Sequence, residues 1–227
     1  MVCLANSRKN SGRCVAGMVI GRGGPEWVRP VGGRPGHEVS AVERRYADGA
    51  EPEVLDVIAV PLIRRRPFGV HRENWLFDPA VRWERVGRIG WDALCRFEER
   101  PRGLWVDGHH TSAGVNDRVP VELRDRLLDS LRLIRVPRVT IEVSPAHPRA
   151  STRLPVVRAR FRYAGSTYAL KVTDPMCEER FRAAGLGNHR LGESFLTVSL
   201  GEEFQGSFFK LVAAIVERPG AGRGGPR

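Results

Sequence analysis

The sequence predicts a mainly β protein in which one arrangement of strands and a helix occurs twice. Short runs rich in Val, Ile and aromatic residues alternate with Gly, Pro and Asn, as strands alternate with turns. In each half, a segment with helical spacing lies between the third and fourth runs. The order β-β-β-α-β-β is the connectivity of the OB-fold, a five-stranded Greek-key barrel. We therefore expect two OB-fold-like barrels, each with a helix between strands 3 and 4, joined by a helical and loop connector.

The first predicted barrel spans residues 1–80. Pro30 and Pro61 indicate strand ends, because proline cannot donate to a β-ladder. The helix is predicted over 38–46, where Val39, Val42 and Tyr46 have helical spacing. The five strands are expected at 2–5, 14–20, 26–31, 54–62 and 73–77.

The second predicted barrel spans residues 130–217. A long, bent first strand is expected over 130–136 and 139–143, and the last two strands over 195–200 and 208–216. Asp174 and Pro175 predict the start of a helix, as N-cap and first helical residue, and Gly185 predicts its end.

A hairpin is predicted between 156–163 and 167–173, with a type II′ turn at Gly165-Ser166. Period two places Arg158, Arg160 and Arg162 on one face and the apolar residues on the other. In this register Arg160 lies opposite Lys171, an unfavourable pair of like charges that a bound anion would relieve.

Residues 81–129 are predicted to form the connector, and 218–227 a disordered tail with nothing apolar to bury. The connector contains a polar loop with His109 and His110. Adjacent side chains point apart in an extended segment, so this doublet is a poor metal chelate. Asp107 and Asp117 would be the other members of any acid–base cluster there.

Composition and motifs restrict the classes of function. The chain has 37 Lys+Arg against 26 Asp+Glu, a formal net charge of +11 and a pI of about 10.6. The sequence contains no Walker A, G-x-S-x-G, H-E-x-x-H or C-x-x-C signature. It also lacks a signal peptide and the run of about 20 apolar residues that a membrane span needs. We expect a cytoplasmic protein with no catalytic residues, metal, cofactor or membrane partner.

Several motifs resemble the bacterial dual OB-containing domain family over about residues 1–216. They are the opening VCLANSRKNSGRCVAG at 2–17, WVRP at 27–30, ENW at 73–75, YALKVTD at 168–174 and KLVA at 210–213. The resemblance implies a two-barrel protein linked by gene context to prokaryotic conflict or antiviral systems. It also implies nucleic-acid sensing, a proposal for that family, and an effector protein of a defence system as a possible partner.

The first barrel carries the preferred candidate site. OB-folds bind oligonucleotides on strands 2 and 3, between the loops joining strands 1–2 and 4–5. The segment 6–13 has three cations and no acid, and 64–72 has four cations. Barrel closure is expected to bring these two loops to the same rim. The candidate residues are Arg8, Lys9, Arg13, Trp27, Arg29, Arg64, Arg65, Arg66, Phe68 and Arg72.

The second barrel supplies a further candidate face, formed by Arg158, Arg160, Arg162 and Lys171. Its 4–5 loop, at 201–206, is acidic, which favours the first barrel. The sequence thus predicts a non-catalytic protein that binds single-stranded or structured DNA or RNA, with arginines on phosphates and Trp27 and Phe68 stacked on bases. The alternatives are a protein–protein adaptor and a sensor of a small nucleotide, with the basic surface only solubilising.

Overall fold

A computed structural model of the chain describes residues 1–9, 12–21, 23–146 and 153–220. It divides the chain into two units. The first comprises Met1–Glu98 and Leu127–Leu131, and the second Glu99–Arg126 and Arg132–Arg227. The residues predicted as a separate connector are shared between the two units, because most of them pair or pack within one or the other.

The first unit contains one sheet with the strand order β5-β6-β3-β2-β1-β4-β7. A 3₁₀ helix, Cys95–Phe97, follows its last α-helix. In chain order the described strands and helices are β1 (Val2–Lys9), β2 (Gly12–Gly21), β3 (Gly24–Val31), α1 (Ala41–Arg44), β4 (Asp56–Ala59), β5 (Leu62–Arg65), β6 (Asn74–Phe77), β7 (Glu84–Arg88) and α2 (Trp91–Leu94).

The pairing of these strands confirms the OB-fold-like connectivity. Strands β1, β2 and β3 form an antiparallel meander, β3 pairs in parallel with β6, and β1 pairs with β4. The predicted fourth strand is interrupted, since β4 ends before Val60-Pro61 and β5 begins after it. Its first half therefore pairs with β1 and its second half with β6.

Helix α1 is shorter than the predicted 38–46. Ser40 caps it in a capping box with Glu43, as expected for a helix start. The helix ends at Arg44 because the next residue adopts an extended conformation and Tyr46 enters a turn closed by its hydrogen bond to Ala50 O. The Tyr46 ring instead joins the core with Val15, Val39, Ile58, Phe77 and Trp83.

The second unit contains one sheet with the order β13-β10-β11-β12-β15-β14-β9, and β8 pairs with β15 outside this path. A 3₁₀ helix spans Val121–Arg126. The described elements are β8 (Arg118–Pro120), β9 (Leu131–Val136), β10 (Val139–Ser144), β11 (Val156–Tyr163), β12 (Ser166–Val172), α3 (Pro175–Ala184), β13 (Gly187–Leu191), β14 (Ser194–Phe204) and β15 (Ser207–Glu217).

This unit has the same connectivity as the first. Strands β12 and β15 pair in parallel at Lys171 and Leu211, and β10 pairs with β13. The bent first strand is present as β9 and β10. Asp174 caps α3 by accepting from the backbone N–H groups of Met176 and Cys177, and Gly185 ends the helix. Strand β13 is an addition to the predicted set. Its sequence, GNHRL, lacks the β-branched residues that predict strands.

The β11–β12 hairpin corrects the predicted turn and register. Ala164 and Gly165 are the two turn residues, with φ of 47° and 84°. Two consecutive positive φ values define a type I′ turn. The backbone twist of this turn matches the right-handed twist of the two flanking strands. Tyr163 therefore pairs with Ser166, and Lys171 lies opposite Arg158 instead of Arg160.

Part of the predicted connector completes the second barrel. Strands β12 and β15 pair only at the end of β12 and the middle of β15, through Lys171 with Leu211 and Val172 with Val212, so other backbone groups on both need partners. Val115 exchanges two hydrogen bonds with Ala169 of β12, and β8 pairs with the beginning of β15. The segment 115–120 thus fills the gap between the third and fifth barrel strands.

The C-terminal end of the described chain is held by Glu193. Arg218 donates its backbone N–H to Glu193 O and pairs with the Glu193 carboxylate. The disorder predicted for the tail falls mostly on 221–227, outside the described residues. Among the residues that the structure describes, no helix is long and apolar enough to cross a membrane.

Candidate nucleic-acid interface

The cations of the first predicted loop lie on strands. Arg8 and Lys9 belong to β1, Arg13 belongs to β2, and Arg8 is directly opposite Arg13 in the register. Arg13 also exchanges two backbone hydrogen bonds with Val39. The strands extend this far because the pairing continues to Lys9 and Gly12, which leaves only residues 10 and 11, outside the described part, for the connection.

Arg29 is an internal residue and not a surface contact. Only 5% of it is exposed, and its guanidinium lies 2.9 Å from Glu73 Oε1. Its second terminal nitrogen donates to Asn74 Oδ1, and Ser130 Oγ also contacts the pair. A buried charge needs such partners, so the position that the sequence assigns to phosphate binding serves the core of the first unit.

Trp27 borders a cleft of about 270 Å³ in the first unit. Arg65 and Arg72 stand on its rim, and Glu73 and Asp129 also line it. The Arg65 guanidinium lies 5.3 Å from the centre of the Trp75 ring and 3.9 Å from Glu26. The structure therefore brings together three predicted residues, Trp27, Arg65 and Arg72, in a setting that is richer in carboxylates than the sequence predicts.

The remaining residues of the predicted 64–72 loop diverge. Arg64 lies exposed on β5, whereas Arg66 donates to Gly32 O. The exposed Phe68 ring lies 4.8 Å from the His37 ring. These contacts direct Arg66 and Phe68 towards the segment that follows β3, away from the Trp27 cleft.

The two basic segments approach each other only in part, because Phe68 contacts His37, two residues before the Val39 that pairs with Arg13, whereas Arg65 lies elsewhere. Glu26, which contacts Arg65, pairs with Val19 near one end of β2, while Arg13 lies near the other end. Six residue steps of extended strand lead from Arg13 to Val19, about 20 Å. Successive hairpins of a meander turn at opposite ends of their shared strand, which separates Arg65, at Glu26, from Arg13.

The second unit presents a continuous basic face instead. On β11 the apolar residues are buried, so Arg158, Arg160 and Arg162 point outward. In one row of cross-strand neighbours, Arg158 of β11 lies between Glu142 of β10 and Lys171 of β12. In the next row, Thr140 of β10 lies between Arg190 of β13 and Arg160 of β11. Across the four described strands β13, β10, β11 and β12, this face holds five cations and one acid, Glu142, which lies 3.4 Å from Arg160.

Arg190 is the member of this face that sequence reasoning missed. It lies on β13 and pairs with Thr140 of β10, on the same side as Arg160. The available signal was the alternation of Asn188 and Arg190 with the more buried His189 and Leu191. That signal is weak over five residues, and only the pairing with β10 makes it visible.

The polar loop 107–118 has a structural role. The Asp107 carboxylate accepts from the Tyr168 hydroxyl at 2.7 Å and from Lys210 Nζ at 3.0 Å. Burial acts to raise the Asp107 pKa, but hydrogen bonds from Tyr168 and Lys210 outweigh it and hold that pKa below its usual value. Burial lowers the pKa of Lys210 and, with the hydrogen bond to Asp107, raises the pKa of Tyr168.

The other polar residues of this loop are also engaged. Asn116 donates its backbone N–H to His110 Nδ1 at 2.8 Å, and Asp117 accepts from the Thr111 backbone and hydroxyl. Asp107, His110 and Asp117 thus hold the loop against β12 and β15. None of these contacts brings the three side chains together around a common point.

Comparison with known families agrees with the strand connectivity. The model of the dual OB-containing domain matches residues 1–215, almost the whole chain. The protein therefore belongs to the dual OB-containing domain family, a class of proteins with two OB-fold modules. Comparison with curated proteins and with solved structures finds no match.

Proposed function

We propose that this protein binds nucleic acid through phosphate contacts on the basic face of β13, β10, β11 and β12. One observation carries the proposal: five cations and a single acid share this face of the described strands. Strands β11 and β12 are the second and third strands of the barrel, the strands on which OB-folds bind oligonucleotides.

The composition of the face favours phosphates over bases. Its outward residues on the four described strands include no aromatic ring that would stack on a base. Arg158 and Lys171 are directly opposed, and an anion between them offsets their repulsion. Arginine binds phosphate oxygens with two parallel N–H donors. We therefore expect binding with little sequence preference.

The cellular role is part of the same proposal. A face that binds phosphates without contacting bases suits a sensor or adaptor that responds to DNA or RNA irrespective of sequence. We include in the proposal a role in bacterial defence and a location in the cytoplasm, because foreign nucleic acid is encountered in the cytoplasm.

A salt titration with labelled single-stranded DNA and RNA tests the proposal. Five cations less one acid neutralise about four phosphates, so log K falls against log salt with a slope of about −3 for single strands. The variant Arg160→Gln/Arg162→Gln/Lys171→Gln removes three of the cations, and we expect the slope to become shallower by about 2.

The matched control removes three exposed arginines elsewhere in the second unit. Arg124, Arg180 and Arg218 each pair with a surface glutamate, so Arg124→Gln/Arg180→Gln/Arg218→Gln gives the same net charge. Equal losses in the two variants would mean that net charge alone drives binding. A larger loss in Arg8→Gln/Lys9→Gln/Arg13→Gln would place the interface on the first unit and overturn its assignment to β11 and β12.

A further inference from the structure

Glu73, one of the residues that line the Trp27 cleft, has a buried acceptor that its surroundings do not satisfy. The Glu73 side chain is 6% exposed, and its Oε1 atom accepts from Ser130 and faces Arg29. Among the described residues, no donor reaches its other oxygen, Oε2. A buried polar atom without a partner is costly, and such atoms are rare in folded proteins. The Glu73 carboxylate therefore suits a ligand that brings an N–H donor.

The rest of the cleft defines the shape and charge of that ligand. The half-buried Trp27 ring offers an apolar wall, and Leu131 lies in the same lining. On the rim, Arg72 and Arg65, the latter 3.9 Å from Glu26 of the same lining, attract an anionic group attached to the ligand. A planar ring with N–H donors and an attached phosphate meets all of these conditions, and a nucleotide is such a molecule.

Three carboxylates line the cleft, and two of them discriminate among the bases, since the third, Glu26, lies 3.9 Å from Arg65. The carboxylates of Glu73 and Asp129 can only accept hydrogen bonds, so a ligand acceptor beside them is repelled. Uracil and thymine flank their N3–H with two carbonyl oxygens, and adenine and cytosine place a ring acceptor next to the amino group. Guanine alone presents two neighbouring donors, N1–H and the N2 amino group.

We propose that this cleft is a pocket for one guanine base, stacked on Trp27, with its donor edge towards Glu73 and Asp129 and its phosphate at Arg65 and Arg72. The pocket is separate from the basic face of the second unit and does not depend on it. The guanine has two possible sources, a free nucleotide or an unstacked base within a single strand.

Calorimetric titration with mononucleotides tests the pocket. Inosine monophosphate differs from guanosine monophosphate only in lacking the N2 amino group, and loss of one hydrogen bond to a charged acceptor weakens binding about tenfold or more. We expect guanosine monophosphate to bind most tightly, inosine monophosphate at least about tenfold more weakly, and uridine monophosphate more weakly still. Equal affinities for the three would rule out a free nucleotide as the source and leave the proposal to the strand measurement below, whose failure would then overturn it.

Variants locate the binding. Glu73→Gln disturbs the buried pair with Arg29 and risks unfolding the first unit, so Trp27→Leu and Asp129→Asn are the decisive substitutions. We expect Trp27→Leu to weaken guanosine monophosphate binding about tenfold, through loss of stacking, and Asp129→Asn to reduce the preference over inosine. Trp91→Leu, on α2 outside the cleft lining, is the control and leaves both quantities unchanged. Unchanged binding in Trp27→Leu would contradict the assignment.

A second arm uses short single strands of thymidine with one central guanosine or inosine, at constant salt. If guanosine is preferred in the strands but not among the mononucleotides, the source is a strand; if it is preferred in neither, the pocket is excluded. If guanosine is preferred but pure thymidine strands show no salt-dependent binding, the pocket exists and the proposed phosphate-binding function is wrong. Failure of the pocket and failure of the proposed function therefore give different results.

Discussion

The arginines of this protein fall into two kinds, exposed residues on a basic face and buried residues that pair with acceptors in a core. The chain has 37 Lys+Arg, of which 34 are Arg, a bias that by itself says nothing about position. Arg160 and Arg162 lie exposed on β11, whereas Arg29 is enclosed by Glu73, Asn74 and Ser130. The planar guanidinium suits both places, because its fixed set of N–H donors fits phosphate oxygens and buried acceptors alike.

Lysine is rare here, and one of the three lysines is buried. The side chain of Lys210 is fully enclosed, with Nζ donating to Val106 O at 2.8 Å and to Asp107. Removing one partner of a buried charge is strongly unfavourable, since the other is left uncompensated. Asp107 therefore helps to hold β12 and β15, since it accepts from Tyr168 of the first and Lys210 of the second.

We expect Asp107→Asn to lower the free energy of unfolding at pH 7 by about 2–3 kcal/mol, less than for a fully buried pair because the carboxylate is partly exposed. The sign of the pH dependence follows from the lowered Asp107 pKa. Its contribution is complete above the unfolded value of about 3.9 and is lost as the pH falls through the lower folded value. The difference between native protein and variant therefore shrinks below about pH 4.

Urea unfolding of both proteins between neutral and acid pH provides the measurement. Asp92→Asn, at an exposed position of α2, controls for the loss of one negative charge. A difference between native protein and Asp107→Asn that stays constant through the acid range would show that the carboxylate charge does not contribute.

At the scale of elements, each barrel has a long strand that is interrupted at a proline. The sequence predicts the break in the second barrel, between 130–136 and 139–143, but presents 54–62 of the first barrel as one strand. Pro61 separates β4 from β5, and Pro137 lies in the break between β9 and β10. Proline lacks the donor that a ladder needs, so each break falls where a strand leaves one neighbour for another. These interruptions allow one barrel strand to pair on both of its sides along different stretches.

The β11–β12 turn supports a prediction at this scale. Ala164 adopts a φ of 47°, in the left-handed region that disfavours residues with a Cβ atom. Asn-Gly is the preferred sequence of a type I′ turn, so we expect Ala164→Asn to stabilise the protein by about 0.5–1 kcal/mol. The temperature of the second unit's unfolding transition is the measurement.

Ala164→Val is the opposing control, because a β-branched residue at positive φ is strained and should lower the same temperature. A stabilising valine would support the Gly165-Ser166 turn predicted from the sequence, in which residue 164 belongs to the strand.

At the scale of the whole molecule, each unit has a core of its own. Cys3, Val15 and Ile58 belong to the core of the first unit, and Ile141, Leu170 and Val198 to that of the second. Separate cores favour separate unfolding transitions, since cooperativity is strongest within one packed core. The proposed activities divide in the same way, with phosphate binding on the second unit and base recognition on the first.

Arg29→Met tests this independence. The substitution leaves Glu73 buried and unpaired, which costs about 3–5 kcal/mol and lowers the transition of the first unit by roughly 10 °C or more. We expect the transition of the second unit to stay unchanged in differential scanning calorimetry. A single transition that shifts as a whole would show instead that the two cores unfold together.

The local pattern of the sequence is enough to predict the two barrels. Alternating runs, the prolines and the Asp174-Pro175 helix start depend on neighbouring residues, and period two alone places Arg158, Arg160 and Arg162 on one side of β11. Burial and strand pairing depend on distant residues. Arg29 contacts Ser130, 101 positions away, only in the folded chain. Arg190 and Arg160 share one face only because β13 and β11 both pair with β10. Lys210 of β15 contacts Asp107, which precedes the segment that fills the gap between β12 and β15. The tertiary structure therefore decided which arginines are exposed and which are buried, because exposure is set by what the rest of the chain packs against each residue.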